Sequence, residues 1–256
     1  RSGQMGINTT LDYDTNTRGC GCPICMKGGD AQADLKIFNE GFDTIQSNAP
    51  TTAATKEQFA DYLINGYWAD VGFRAHKWYQ SNVTYSLSSE FSTSEKNGFR
   101  MAFDQWADVT NLTFSEVFSG ADIIILEGDD FSAYSQPFVY IGTDQLALSI
   151  ISIDASSGFF GSNIGEIGNY GLLTATHEIG HSLGLGHSGN YNGTATYETD
   201  AMWTNDTRQY SLMSYFQASK SGADHTHIEG IYNVTEYAAT PLLFDIYAIQ
   251  QIYGAN

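Results

Sequence analysis

Hydrophobic residues recur at helical spacing early in the chain. Thr55 can cap a helix in which Phe59, Tyr62 and Leu63 share one face, and Gly66 is a suitable end for it. A stripe of this kind is what an amphipathic helix buries against a core. The pattern therefore predicts a helix that begins after Thr55.

A capping box predicts a second, longer helix. Ser92 and Glu95 have the spacing at which each side chain bonds the backbone N–H of the other. The residues that follow place large apolar groups on one stripe, which is typical of a helix packed on a sheet: Phe99, Ala102, Phe103 and Trp106. Further helices are predicted over residues 35–47 and from Thr240-Pro241, where Thr caps and Pro fits the first helical position.

Short β-branched or aromatic runs, separated by Gly, Asp and Ser clusters, predict five strands. These strands span residues 83–87, 112–117, 122–126, 137–141 and 148–153. A helix follows from about Tyr170 to Leu183, and then a long, mostly irregular stretch. This order predicts one α+β unit whose sheet rests on two helices.

The helix from Tyr170 carries a complete candidate metal site, H-E-x-x-H-x-x-G-x-x-H. His177 and His181 are four residues apart, so they lie one turn apart on the same helix face and can bind one ion. Gly184 allows a sharp turn, because a residue without Cβ tolerates positive φ, and the turn brings His187 round as a third ligand. Glu178 follows the first ligand, where it can reach a water at the metal without ligating the ion.

Three neutral imidazoles favour a catalytic zinc site over a structural one. A structural zinc site is usually closed by four protein ligands, whereas this set leaves one coordination position open. A bare H-E-x-x-H arises by accident in unrelated helices. The longer pattern uses three of the six histidines in the chain, so chance is a poor explanation.

The charge balance excludes some partners. The chain has 256 residues with 29 acidic and 11 basic side chains, a formal net charge of −18. Nucleic-acid backbones and anionic membranes attract Lys/Arg clusters, so we expect neither as a partner. The acidic surface favours solubility and could also hold calcium. No apolar run is long enough to span a membrane. The sequence as given begins at Arg1 without a signal-peptide pattern, and we expect it to be a processed, secreted form. We also expect a monomer.

A second motif follows the histidines. Residues 206–215 read DTRQYSLMSY and, with the zinc motif, resemble the Met-turn of the serralysin family of metzincin metalloproteases. The resemblance implies that Met213 lies beneath the zinc and that Tyr215 is a fourth, mobile ligand. It also implies a mixed, mostly parallel twisted sheet, a zinc cleft and a mostly irregular C-terminal lobe that ends in a helix. Residues 241–256 resemble the end of a serralysin catalytic domain.

The sequence departs from the serralysin pattern at three places. Ser188 follows the third ligand, where serralysins usually have Pro and matrixins have Ser. Serralysins continue into a calcium-binding β-roll, whereas this sequence ends at Asn256, so we expect either a trimmed or a minimal form. The third departure is a cluster of all three cysteines, Cys20, Cys22 and Cys25.

The cysteine cluster allows three interpretations. Cys20-Gly21-Cys22-Pro23 is similar to the Cys-Gly-x-Pro core of the matrixin latency peptide, in which a thiolate occupies the water position on zinc. Zinc binds thiolates well, so Cys20 is a candidate latency ligand. A disulfide such as Cys20 with Cys25, or a three-cysteine metal knuckle, would also fit.

These observations predict a secreted zinc endopeptidase, with Glu178 as general base and Tyr215 as oxyanion donor. The resemblance implies protein or peptide substrates bound in extended form, antiparallel to an exposed sheet edge. We expect this edge at Ala133–Phe138. We expect a pro-segment over residues 1–34 and a catalytic domain over 35–256, with an upper lobe to about His187.

The alternatives to an endopeptidase are an inactive zinc-dependent binding module and a zinc amidase acting on a non-peptide amide. His225 and His227 are interpreted as surface residues, with a second metal site there as the alternative.

Overall fold

The computed structural model describes residues 49–129, 131–156, 163–192, 194–223, 226–229, 232–235 and 237–256. The helix predicted over residues 35–47 and the cysteine cluster lie outside the described residues. Among those described, no helix is both long and apolar enough to cross a membrane.

The first helical stretch begins where the sequence predicts and continues further. Helix α1 spans Lys56–Asp61, and a capping box joins Thr55 and Gln58 at its start. The chain then passes through a π-helical segment, Tyr62–Gly66, into a short helix α2, Tyr67–Asp70. The predicted end at Gly66 is therefore wrong. Gly66 lies inside the helical stretch rather than at its end. A Cβ at this position would be 2.3 Å from the Tyr62 ring, so the glycine makes room for that ring.

The long helix α3 spans Thr93–Val109 and confirms the prediction from the capping box. The Ser92 backbone N–H donates to the Glu95 carboxylate at 2.6 Å, and the Glu95 N–H donates to the Ser92 hydroxyl at 3.3 Å. The predicted apolar stripe is buried against the main core.

Five strands form one sheet that is parallel except at one edge. The strands are β1 (Asn82–Leu87), β2 (Thr113–Glu116), β3 (Ile123–Glu127), β4 (Ala133–Val139) and β5 (Leu146–Ile153). Their order is β2-β1-β3-β5-β4, and only β4 runs antiparallel, against β5. The sheet confirms the predicted mixed, mostly parallel fold.

Strand β4 begins and ends earlier than the predicted span of 137–141. The chain turns at its end, where the Thr143 N–H donates to the Tyr140 carbonyl and Gly142 has a φ of 77°. The start was hidden because the buried positions of β4 include Ser135 and Pro137 rather than large apolar residues. A proline in a strand is confined mostly to sheet edges, which agrees with the outer position of β4.

The second half of the chain has one buried helix followed by little regular structure. Helix α4 spans Tyr170–Ser182, and every one of its residues is buried. The short elements that follow are α5 (Tyr197–Asp200), a 3₁₀ turn (Ala218–Ser221), and a hairpin of β6 (Thr226–Glu229) and β7 (Tyr232–Thr235). Helix α6, Leu243–Tyr253, closes the described chain.

Helix α6 begins two residues after the predicted start at Pro241. Leu242, rather than Thr240, occupies the N-cap position, and its backbone N–H donates to the Asp245 carboxylate at 2.9 Å. The sequence pattern of Thr followed by Pro is therefore a misleading start signal here. Asp245 determines where helix α6 begins. Its buried carboxylate accepts the Leu242 N–H and also the N–H of Leu212, which lies in a distant loop.

Helix α3 approaches the loop before α4 closely, and this contact generates a prediction. A Cβ at Gly98 would lie 2.2 Å from the Ile164 carbonyl oxygen. Alanine favours helices over glycine by about 1 kcal/mol, yet we expect Gly98→Ala to destabilise the protein by about 1–3 kcal/mol because backbone must move. Thermal unfolding checks this, with Asp104→Ala on the exposed face of α3 as control. A higher melting temperature for Gly98→Ala would contradict the expectation.

Candidate metal centre

Helix α4 presents the first two histidines of the motif in a fully buried setting. The ring centroids of His177 and His181 are 4.7 Å apart, as expected for residues one turn apart on one face. Neither side chain is more than 1% exposed. Glu178, between them in sequence, is also fully buried.

A sharp turn after the helix brings in the third histidine. Gly184 has a φ of 101°, as the sequence predicts, and a Cβ there would lie 2.2 Å from the His76 carbonyl oxygen. Any larger residue would therefore suffer both backbone strain and a clash. Beyond the turn, the His187 Nε2 lies 3.0 Å from the His181 Nε2.

Three backbone carbonyls orient the three imidazole rings. The Nδ1 atoms of His177, His181 and His187 lie 2.8, 2.7 and 3.0 Å from the carbonyl oxygens of Leu212, Leu185 and Tyr191, respectively. A carbonyl only accepts hydrogen bonds, so each Nδ1 carries the proton. Each neutral ring therefore has its lone pair on Nε2.

The donor set fits a divalent metal ion. One nitrogen from each histidine lies within 4.8 Å of the others. Bare lone pairs at this separation repel one another unless a cation lies between them, and nitrogens on one tetrahedral zinc ion are about 3.4 Å apart. Burial lowers the pKa of His177 to about 4 and the pKa values of His181 and His187 well below their usual range. The rings are therefore neutral at physiological pH, as metal ligation requires.

Tryptophan side chains hold the backbone of the metal-binding segment. Trp106 on α3 donates its indole N–H to the Thr176 carbonyl at 3.0 Å. Trp78 and Trp68 donate in the same way to the carbonyls of Ser182 and Gly184, at 2.9 and 2.8 Å. These bonds join the helix and the turn after it to three separate parts of the chain. The signal for them in sequence is weak, because a buried tryptophan is more often simply a core residue.

The Met-turn lies directly against helix α4, which carries His177 and His181. Met213 is fully buried, and a Cβ at Gly180 would be 2.9 Å from its sulfur, so the glycine permits a close approach. Tyr215, two residues later, is 2% exposed, and its ring centroid is 4.6 Å from that of His187. The structure thus brings together His177, Glu178, His181, His187, Met213 and Tyr215.

Other predicted site residues remain untested by the structure. Cys20 and the two neighbouring cysteines lie outside the described residues, as does His225. The backbone of His227 lies in β6, but its side chain is not described. Within the described part of the chain, the three-histidine cluster is the one group of His, Cys, Asp and Glu with metal-binding geometry.

Comparisons with known proteins agree with this geometry. A family model described as matrixin matches residues 77–198. Metalloprotease AprA of Pseudomonas entomophila is 40% identical over 183 residues, which cover 66% of this chain and 35% of that protein. The chain belongs to the serralysin-like metzincins.

Two serralysins extend the match over more of the chain. The serralysin of Photorhabdus laumondii is 36% identical over 269 residues, covering 98% of this chain and 53% of that protein. The serralysin of Proteus mirabilis is 37% identical over 216 residues, covering 76% of this chain and 42% of that protein. The chain therefore spans between about a third and a half of the length of these relatives.

Asp245 is a site residue of this metzincin that the sequence analysis missed. Its carboxylate accepts hydrogen bonds from the Ser211 hydroxyl at 2.6 Å and the Leu212 N–H at 2.7 Å. The carbonyl of the same Leu212 orients His177. Asp245 therefore connects helix α6 to the Met-turn and, through Leu212, to the first metal ligand. Burial raises the pKa of Asp245 to about 6, while its donors oppose that rise.

Asp206 is a second buried carboxylate that the sequence did not single out. It accepts hydrogen bonds from the hydroxyls of Ser188 at 2.6 Å and Tyr191 at 3.0 Å. Ser188 directly follows the third ligand, and the Tyr191 carbonyl orients that ligand. The departure at Ser188 therefore has a structural consequence, since a hydroxyl there can bond the start of the Met-turn. Burial raises the pKa of Asp206 to about 6.

We expect Asp245→Ala to weaken metal binding as well as stability. The substitution leaves three donors without their buried acceptor, which should cost about 3 kcal/mol or more in the free energy of unfolding. Loss of the bond that fixes Leu212 should also lower zinc affinity by roughly 10–100-fold, the usual effect of removing a partner of a metal ligand. Competition with a chromophoric chelator measures this.

The matched control for Asp245→Ala is Asp108→Ala on the exposed face of α3. Asp245→Asn keeps one acceptor oxygen and should recover part of both losses. If Asp245→Ala lowers stability but leaves zinc affinity unchanged, the proposed connection from Asp245 to His177 is wrong.

Proposed function

We propose that this chain is the catalytic part of a secreted zinc endopeptidase that hydrolyses peptide bonds in proteins. The observation that carries the proposal is the convergence of three imidazole rings beside Glu178. This glutamate is fully buried and lies on helix α4, which also carries His177 and His181. A site that only bound metal would need no carboxylate next to its first ligand. Membership of the serralysin-like metzincins and similarity to proteins named as metalloproteases support the same activity.

The metal and Glu178 would divide the chemistry between them. Bound zinc supplies a Lewis acid that polarises the scissile carbonyl and lowers the pKa of water to about 7. Glu178 accepts a proton from the attacking water and passes it to the leaving amine nitrogen as the C–N bond breaks. The products are a carboxylic acid and an amine, and no bond forms between substrate and protein.

Tyr215 would act as a fourth ligand at rest and as an oxyanion donor during catalysis. Its ring centroid is 4.6 Å from that of His187 and 6.5 Å from that of His177, so the phenol lies at the histidine cluster. Swinging away from the metal as substrate arrives would let its O–H donate to the developing negative charge.

Strand β4 supports an extended substrate. It is an edge strand of the five-stranded sheet and lies beside helix α4, where the hydroxyls of Ser135 and Ser182 are 2.9 Å apart. A peptide added antiparallel to β4 would continue the sheet and pass close to the metal ligands. We therefore propose that residues 133–138 bind the substrate backbone.

The domain organisation extends the proposal to regulation. Residues 1–34 would be a pro-segment, and residues 35–256 a catalytic domain with an upper lobe to about His187 and a lower lobe after it. Cys20 would hold the enzyme latent by occupying the metal position that water and substrate need. Secretion agrees with the acidic composition, a formal net charge of −18.

Digestion of casein separates this proposal from its alternatives. The protein should cleave casein, and a chelator should abolish cleavage until zinc is restored. A binding module would show no cleavage in either state. A non-peptide amidase would leave casein intact and release amine from small amide substrates.

We predict that Glu178→Ala abolishes turnover while zinc content stays near one ion per chain. The base is removed and all three histidines remain, so kcat should fall by roughly 10²–10⁴-fold or more. Atomic absorption and kinetic assays check both results. Glu178→Gln preserves the buried shape, and Glu90→Ala provides an exposed control. Loss of zinc together with Glu178 would show that it is a ligand and not the base.

Tyr215→Phe should lower kcat by up to roughly 10³-fold without emptying the metal site. The ring and its packing on His187 and Tyr191 are kept, and only the hydroxyl is lost. The loss should therefore fall on kcat more than on KM. An unchanged kcat would exclude the phenol as an oxyanion donor.

For latency, we predict that Cys20→Ser is constitutively active and that Cys22→Ser and Cys25→Ser have smaller effects. A serine hydroxyl binds zinc far less well than a thiolate, so the metal position would open. Proteolytic trimming of residues 1–34, or a mercurial, should activate the unsubstituted protein. If all three variants and the unsubstituted protein are equally active, the switch does not exist, although the endopeptidase proposal would stand.

A further inference from the structure

Three buried serine hydroxyls meet between the sheet and helix α4, and we call this group the serine cluster. Ser135 lies on β4, Ser149 on β5 and Ser182 at the end of α4, and each is 0% exposed. The Ser182 Oγ lies 2.9 Å from the Ser135 Oγ and 2.8 Å from the Ser149 Oγ. The two strand hydroxyls are 3.3 Å apart. A hydroxyl both donates and accepts hydrogen bonds, so the three can satisfy one another in a ring.

The serine cluster lies within an apolar interface. Ala133 shares the face of β4 with Ser135, and Ile151 shares the face of β5 with Ser149; both are fully buried. Apolar burial has no direction and does not by itself fix one alignment of a strand against a helix. Satisfied hydrogen bonds between buried groups do fix it. The cluster therefore specifies how β4 and β5 are aligned on α4.

Ser182 connects the serine cluster to the metal ligands. It directly follows His181, and its carbonyl accepts the Trp78 indole N–H at 2.9 Å. Thr174 and Thr176, on the same helix, donate to carbonyl oxygens four residues before them, a common arrangement for a hydroxyl within a helix. The Ser182 hydroxyl bonds two strands instead. It thereby fixes the end of α4, and with it His181, relative to the sheet.

Ser135 connects the serine cluster to the proposed substrate edge. The Asp154 N–H donates to the Ser132 carbonyl at 2.9 Å, so the backbone groups of Ser132 point toward β5. These groups alternate in direction along an antiparallel strand, so those of Ser135 point the other way, to the outer edge of β4. Pro137, which has no N–H to donate to a ladder, has the same direction as Ser135. The Ser135 side chain thus holds the backbone along which a peptide would pair.

We propose that the serine cluster is a positioning device that fixes where β4 lies relative to the metal centre. The Ser135 hydroxyl is bonded to the residue that follows His181, and the Ser135 backbone belongs to the edge that would hold the substrate. The scissile carbonyl must reach the metal while the peptide stays paired with β4, so a small displacement of β4 would prevent both from occurring together. The proposal rests on the proposed binding of substrate along β4, and not on hydrolysis itself.

The test compares two zinc-binding inhibitors of different length. Acetohydroxamate contacts the metal alone, whereas a peptide hydroxamate must bind the metal and pair with β4 at the same time. The zinc-loaded full chain carries Cys20→Ser throughout, so that the proposed latency ligand cannot compete. We expect Ser135→Ala and Ser182→Ala each to weaken peptide hydroxamate binding roughly tenfold and to change acetohydroxamate binding less than about twofold.

Further variants separate positioning from packing. Ser149→Ala leaves the bond between Ser135 and Ser182 in place, so its effect should be smaller. The double variant Ser135→Ala/Ser182→Ala should bind the peptide hydroxamate about as well as either single variant, since both substitutions remove the same bond. Ser152→Ala, a buried serine on the opposite face of β5, is the matched control and should bind both inhibitors as the unsubstituted chain does.

Kinetics on extended peptides provide a second readout. Ser135→Ala should lower kcat roughly tenfold and change KM little. Backbone pairing with β4 survives the substitution, so the substrate still binds, whereas the transition state also requires alignment with the metal. The fold-loss in kcat and the fold-loss in peptide hydroxamate affinity should therefore be similar.

Several outcomes would overturn the positioning role. They are a peptide hydroxamate that binds the unsubstituted chain no more tightly than acetohydroxamate, unchanged peptide hydroxamate affinity in Ser135→Ala, an equal loss for both hydroxamates, effects of Ser135→Ala and Ser182→Ala that multiply in the double variant, and an equal loss in Ser152→Ala. The inhibitor experiment needs no turnover. If its results are as expected and casein is not cleaved, the endopeptidase proposal fails and the positioning role stands. If casein is cleaved and Ser135→Ala binds both inhibitors unchanged, the reverse holds.

Discussion

Three hydrogen bonds from histidine Nδ1 atoms to backbone carbonyls determine what this metal centre can do. They fix the tautomer of each buried ring and direct three Nε2 lone pairs to one point. Each acceptor carbonyl belongs to a different part of the chain: the helix turn at Leu185, the loop at Tyr191 and the Met-turn at Leu212. The site therefore forms only when these three segments have reached their native positions.

Much of the surrounding structure serves to keep those carbonyls in place. Asp245 connects the last helix to the Met-turn through Ser211 and Leu212. Asp206 holds the Ser188 and Tyr191 hydroxyls beside the third ligand. Burying two carboxylates is unfavourable, as their raised pKa values indicate, and their several donors offset the cost. Polar groups of this kind set the geometry of the lower lobe, in which regular secondary structure is sparse.

The upper part of the molecule contributes rigidity. Strands β4 and β5 and helix α3 pack against helix α4, and the indole N–H groups of Trp106 and Trp78 bond its backbone carbonyls. Because every residue of that helix is buried, the ligands cannot be displaced without opening the core.

The sequence by itself determined the features that local chemistry encodes. The histidine spacing, the glycine turn, the Thr55 cap, the capping box at Ser92 and the existence of five strands all follow from short-range periodicity or sterics, and the structure has them. The bounds of β4 and α6 did not follow. Ser135 and Pro137 hide a buried edge strand, and Leu242 is an N-cap only because Asp245 lies beneath it.

Only the tertiary structure decided the connections between distant segments. Asp206, Asp245 and the three tryptophans that bond backbone carbonyls of the site carry no local signature. The sequence around an aspartate or a tryptophan does not show whether its side chain is exposed, buried or hydrogen-bonded to the metal site. Their roles arise from contacts across tens to more than a hundred residues, as between Trp68 and Gly184. Local patterns specify which groups can ligate a metal, and long-range packing specifies how those groups are oriented and held.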